Sequence, residues 1–173
     1  MIYHGKDLRK GRVSLDGQTY LVTSVTHDRR PIFRDFGLGR ILVNTMRQYT
    51  EAGKVKSLAF VVMPNHFHWL LSLTGVCTLQ TLVGQVKGAS AHYMNLPLVG
   101  AGYARESGLS SRPEAAPTER RLGKVWQKGF HDRAVRRDED IQAIARYLVM
   151  NPVRSGIVKR IWDYPLWDAV WVD

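Results

Sequence analysis

The spacing of hydrophobic residues changes along this chain, and each change marks an element. From Gln18 to Thr26, QTYLVTSVT alternates apolar and polar positions and is rich in β-branched residues, the pattern of a strand with one buried face. From Asp35 to Gly53 the period lengthens. Leu38, Ile41, Leu42, Thr45, Met46 and Tyr49 fall on one stripe, which predicts a helix that stops at Gly53. Strand character returns over Lys54–Pro64, Pro64 and Asn65 make a tight connection, and His66–Thr74 predicts a third strand in a hairpin with the second. Thr78–Asn95 is again helical, with Leu79, Leu82, Val83, Val86 and Tyr93 facing inwards. Leu96–Gly123 has no period and is rich in Gly, Pro, Ser and Arg, so it reads as a long loop. Val125–Arg136 fits a fourth strand broken near Gly129. Asp138–Asn151 predicts a third helix with an acidic first turn, which suits the helix dipole, and Asn151-Pro152 is its expected end.

The resulting order, β-α-β-β-α-β, is that of an α+β, ferredoxin-like (RRM-like) antiparallel sheet with helices on one face. No repeat or composition break divides the chain. Residues 1–173 read as a single domain with a long loop at about 96–124 and an aromatic tail at about 160–173, which carries Trp162, Tyr164, Trp167 and Trp171.

Composition narrows the function. With 173 residues, 45% of them hydrophobic, the chain can bury a proper core. Its lone cysteine, Cys77, excludes an internal disulfide and a cysteine-rich zinc site. No apolar run is long enough for a membrane span, and the basic N-terminus lacks a signal-peptide stretch, so a cytoplasmic protein with no membrane partner is expected. Lys and Arg number 25 against 15 acids, a formal charge of +10. These basic residues cluster in KDLRKGR, DRRPIFRDFGLGR and RRLGKVWQKGFHDRAVRR, which favours a polyanionic partner, nucleic acid, over a charge kept for solubility alone.

The candidate chemistry lies in VVMPNHFHWLL. His66 and His68 are two apart on a strand, so they share a face with Cα atoms about 6.5–7 Å apart. Two imidazoles at that spacing can converge on a metal at about 2.1 Å, while Phe67 and Trp69 point to the core. Two ordinary polar residues on a solvated face would show the same pattern, so a third ligand is needed. The third helix offers one: Tyr147 and Asn151 are four apart, one above the other, with Cβ atoms about 6 Å apart. Two histidines and an amide oxygen form a hard, open site suited to Mg²⁺ or Mn²⁺. Tyr93 is the rival nucleophile, set aside because its stripe reads as core.

VVMPNHFHWLLSL, KGASAHYMN, VWQKGFHDRAVRRDEDIQAIARYLVMNPVRSGIV and DYPLW together resemble the REP-associated tyrosine transposases, single-tyrosine relatives of the insertion-sequence transposases within the HUH nuclease superfamily. The resemblance runs from about Gln18 to Trp167. It implies that His66, His68 and Asn151 hold a divalent metal (Mg²⁺ or Mn²⁺) on the sheet face opposite the helices, and that Tyr147 is the catalytic tyrosine. It also implies a single-stranded DNA endonuclease and strand transferase acting beside hairpin-forming, REP-like palindromes through a 5′-phosphotyrosine. The expected setting is the bacterial cytoplasm, with the nucleoid, and the expected state is a monomer. The long loop departs from the commoner family pattern.

Lys87, Lys124, Lys128, Arg133, Arg136 and Arg137 are candidate phosphate contacts, and Arg9, Lys10 and Arg12 a candidate basic arm. Trp126 and the C-terminal tryptophans are candidates for stacking on unpaired bases, with packing against the sheet as the alternative. For Arg133 and Arg136 the alternative is an ion pair with Asp132. Two other functions compete: a nucleic-acid-binding module without catalysis, and a metal-dependent nuclease that uses water instead of tyrosine.

Overall fold

A computed structural model of the chain describes residues 16–96 and 122–171, so Arg9, Lys10, Arg12 and most of the expected long loop lie outside the described residues. The elements are β1 (Thr19–Val25), α1 (Phe36–Glu51), β2 (Val55–Met63), β3 (His66–Leu73), α2 (Leu79–Met94), β4 (His131–Ala134), α3 (Ile141–Val149), α4 (Asn151–Arg154) and β5 (Trp167–Ala169). They build an antiparallel sheet in the order β4-β1-β3-β2-β5, whose first four strands have the ferredoxin-like arrangement.

Local chemistry sets the element ends. Asp35, Thr78 and Asp140 cap α1, α2 and α3 by accepting from the backbone N–H groups of Leu38, Thr81 and Ala143. Gly53, at φ 68°, turns the chain out of α1 and into β2. The β2–β3 hairpin is held from outside: Thr26 N–H donates to Asn65 O at 2.9 Å, and Phe33 N–H to Pro64 O at 3.0 Å.

Alternation sorts β3 as the sequence predicts. Phe67 and Trp69 are fully buried on the face packed by Leu42 and Met46 of α1 and Leu82, Val83 and Val86 of α2. His66 and His68 lie half-buried on the other face, directly across from Met63 and Val61. That face is partly covered too, because α3 lies against β2 and β5 with Ala145, Leu148 and Val149 turned inwards.

Four expectations change. The fourth strand is shorter than Val125–Arg136. Trp126 makes only an isolated bridge to Thr26, the chain bends at Gly129 (φ 78°), and regular pairing starts at His131. Pro152 does not end helical structure: the chain relaxes at Met150 (ψ 1°) and takes one more turn, α4. Proline cannot supply the N–H that would reach Leu148 O, and Asn151 Nδ2 donates to that carbonyl at 2.8 Å instead. Tyr93 is 46% exposed, because Ser90 and Met94 carry the inner stripe of α2. The aromatic tail contributes a fifth strand, with Trp167 opposite Val61. Among the described residues no helix is long and apolar enough to cross a membrane.

Candidate functional site

Each histidine of the pair has a partner for one ring nitrogen. His66 Nδ1 is 2.7 Å from Asn65 Oδ1, and His68 Nδ1 is 2.8 Å from Thr23 Oγ1, its direct neighbour across the β1–β3 ladder. The amide oxygen of Asn65 can only accept, so His66 carries its proton on Nδ1 and keeps the Nε2 lone pair. A proton on His68 Nδ1 donated to Thr23 Oγ1 leaves its Nε2 free in the same way. The two rings are 4.8 Å apart, edge to face at 81°.

Burial, and then Arg29, hold the His66 pKa below its ordinary value. Burial, then His66, then Arg154, push His68 down to about 4. Both imidazoles are therefore neutral at pH 7, the form that binds a metal. Among the described residues no cluster of three His, Cys, Asp or Glu side chains could hold a metal, so a third donor from among these residues is of another type.

Tyr147 projects from α3, 68% exposed, and Asn151 opens α4. Arg154 joins them. Its guanidinium lies 3.5 Å from the Tyr147 ring centroid, donates through Nη1 to Tyr147 O at 2.7 Å, and donates through Nη2 to Asn151 Oδ1 at 2.6 Å. With Nδ2 on Leu148 O, both ends of the Asn151 amide are engaged and its orientation is set. The influence of Arg154 on His68 ties this cluster to the histidines.

Arg154, Thr23 and Arg29 did not emerge from the sequence. Tyr147, Asn151 and Arg154 stand at i, i+4 and i+7, so helical spacing could have revealed Arg154. Thr23 depends on strand register and had no local signal. Arg29 sits in a turn where it and Asp28 both adopt φ 53°, a left-handed conformation uncommon outside glycine.

The candidate DNA contacts divide. Trp126 is only 7% exposed, packs against Phe33 and Phe67 with centroids at 5.6 and 5.4 Å, and donates from Nε1 to Ser90 Oγ at 3.1 Å. It is a core residue, and the reading of it as a base-stacking platform is corrected. Lys87 spans from α2 to the loop before β4, donating to Gln127 O at 2.8 Å and to Gly129 O. Arg133 pairs with Glu139 at 2.5 Å, and Glu139 also accepts from Arg136 N–H at 2.7 Å. These contacts, the backbone bond first, hold the Glu139 carboxyl below its ordinary pKa. Lys124, Lys128, Arg136 and Arg137 are exposed. In the tail, Tyr164 is buried, its hydroxyl on Val62 O at 2.5 Å and its pKa raised by burial, whereas Trp162 is 69% exposed and meets Trp167 at 5.4 Å with the rings tilted by 58°.

Residues 14–98 match the family model of the IS200-like transposases. The structure is similar to that of a REP-associated tyrosine transposase bound to a REP hairpin, at a TM-score of 0.62 and 21% identity, over 90% of this chain and 79% of that one. It also aligns with a chain described as a candidate transposase from Deinococcus radiodurans R1, at 23% identity over 83% of this chain and 96% of that one, though at a TM-score of only 0.47. No curated protein matches the sequence.

Proposed function

From the match of residues 14–98 to the IS200-like transposase family, we propose that this chain is a tyrosine nuclease and strand transferase that cuts single-stranded DNA beside a hairpin. The observation that carries the reading is a pair of half-buried imidazoles, each held through Nδ1, with Arg154 near enough to lower the His68 pKa while it also binds the exposed Tyr147 and Asn151. The REP hairpin bound by the structural neighbour suggests the same kind of substrate here.

The donor set fits a divalent metal. His66 and His68 would offer Nε2, and Asn151 would offer Oδ1 after parting from Arg154. Mg²⁺ or Mn²⁺ would supply Lewis-acid polarisation of the scissile phosphate. The chain supplies the rest. Tyr147 Oη attacks phosphorus, a P–O bond to tyrosine forms, and the bond to the 3′ oxygen breaks. The phenolic proton leaves to water, and the departing oxygen takes a proton to become a free 3′-OH. A phenol with a pKa near 10 is a weak nucleophile at neutral pH, so in-line placement and nearby positive charge must offset that weakness. The 5′-phosphotyrosine ester keeps the energy of the broken bond, so attack by a 3′-OH reverses the step and joins strands without ATP. A single tyrosine holds one covalent end at a time. The proposal extends to a monomer acting on nucleoid DNA in a bacterial cytoplasm.

The test is incubation with Mn²⁺ and labelled single-stranded hairpin oligonucleotides drawn from the DNA flanking the gene, followed by a denaturing gel. A slow-migrating covalent band is expected, absent in Tyr147→Phe and in His66→Ala. Metal-dependent cuts without an adduct would make the protein a water-using nuclease. Binding with neither cut nor adduct would make it a hairpin-binding module.

A further inference from the structure

Arg154 is an exposed arginine beside the nucleophile with no carboxylate partner among the described residues. Its contacts there are all neutral: the Tyr147 ring, Tyr147 O and Asn151 Oδ1. Both arms of its fork are occupied by weak acceptors, whereas a guanidinium is shaped to take two oxygens of an anionic phosphate. The bond to the amide is charged on one side only, whereas an anionic phosphate adds ion-pair attraction and takes both arms of the fork at once, so a phosphate brought to this place would win the fork from the amide. The position of Asn151 Oδ1 adds a second constraint. An oxygen that accepts from a guanidinium at 2.6 Å is a poor ligand for a dication, because the two positive charges would meet on one atom.

We propose that Arg154 is a phosphodiester-binding residue that exchanges Asn151 Oδ1 for a phosphate oxygen of the bound strand, and so frees Asn151 to join the histidine pair when DNA is in place. The inference rests on the proposed function and goes beyond it: metal ligation and DNA binding become thermodynamically coupled, each strengthening the other by the same factor. The device keeps a nuclease site incomplete in the absence of substrate. Arg154 acts through Asn151 on the metal site, so towards that site it is a positioning residue. Towards DNA it is a direct contact.

The experiment uses the full chain in a Tyr147→Phe background, which binds without cleaving and keeps the aromatic ring under Arg154. Free Mn²⁺ is counted by electron paramagnetic resonance with and without a single-stranded hairpin oligonucleotide. DNA is expected to tighten Mn²⁺ binding at least about fivefold. With Arg154→Gln added, Mn²⁺ should bind more tightly than before in the absence of DNA, and the further tightening by DNA should shrink to what direct contact between metal and phosphate supplies. In EDTA the same variant should bind DNA more weakly, and its salt slope should fall by about 0.7 for the lost single-strand phosphate contact. Arg154→Lys, which keeps the charge without the fork, should retain the slope and show the same reduced coupling. Circular dichroism confirms that each variant is folded. Equal Mn²⁺ affinity with and without DNA, or normal coupling in Arg154→Gln, overturns the proposal. Covalent adduct formation by the wild-type chain is read in parallel. Adduct without coupling sinks the Arg154 exchange alone, whereas no adduct with any metal sinks the nuclease reading itself.

Discussion

Thr23 Oγ1 stands 2.8 Å from His68 Nδ1, across the β1–β3 ladder where the two residues are direct neighbours. A residue near the start of the chain thus sets the ring of a histidine on another strand. Asn65 does the same for His66 from the adjacent position. Partners of this kind fix the ring orientation and tautomer of a metal-binding histidine, and their loss costs about 10–100-fold in metal affinity. Thr23→Val keeps the shape and removes the hydroxyl. Its Mn²⁺ affinity should fall within that range with the fold intact. Wild-type affinity in a direct titration would show that Thr23 does not orient His68.

Tyr147 is a surface residue in contact terms, 68% exposed, with its ring under Arg154. Replacing it by Phe keeps the ring and removes only Oη. Thermal melting should show a change within about 0.5 kcal/mol. Hairpin DNA should bind as before, while the covalent adduct disappears. Residual adduct at wild-type yield would assign the nucleophile elsewhere.

The pH dependence has a definite sign. His68 titrates at about 4 in the folded chain against an ordinary value of 6.5, and His66 is shifted the same way. As pH falls below 6.5, the unfolded chain takes up protons that the folded site refuses. The contribution of His68 to stability is therefore complete above pH 6.5, declines between 6.5 and 4, and is gone below 4, with His66 acting in the same direction. For His68 the loss is about 3 kcal/mol at most. Imidazole NMR of the metal-free protein should show His68 neutral at pH 5, and denaturant melts should weaken over that window. A His68 midpoint near 6.5 would contradict the buried, positively flanked site.

Trp126 belongs to the core, wedged between Phe33 and Phe67 and bonded to Ser90. Trp126→Ala should cost about 3–5 kcal/mol, as for other large buried aromatics. Trp126→Phe should cost less and leave DNA affinity unchanged at a temperature where it is folded. A drop in affinity from a fully folded Trp126→Phe would restore Trp126 to the binding surface.

Much of this molecule follows from short-range rules. Period alone separates strands from helices. Capping residues set three helix starts, Gly53 turns the chain out of α1, and the parity of β3 sends Phe67 and Trp69 inwards while placing His66 and His68 together on the other face. The spacing of Tyr147 and Asn151 follows from one helical turn, and the bound Arg154 from the next. These features need only chain geometry and the chemistry of neighbouring residues. Other features depend on segments far apart in sequence, whose meeting no local period encodes. Tertiary packing brought Trp126 into the core, engaged Lys87 on the carbonyls before β4, and paired the tail with β2 as β5. It also set Thr23 against His68, through a strand register in which a shift of one residue would turn the whole face over.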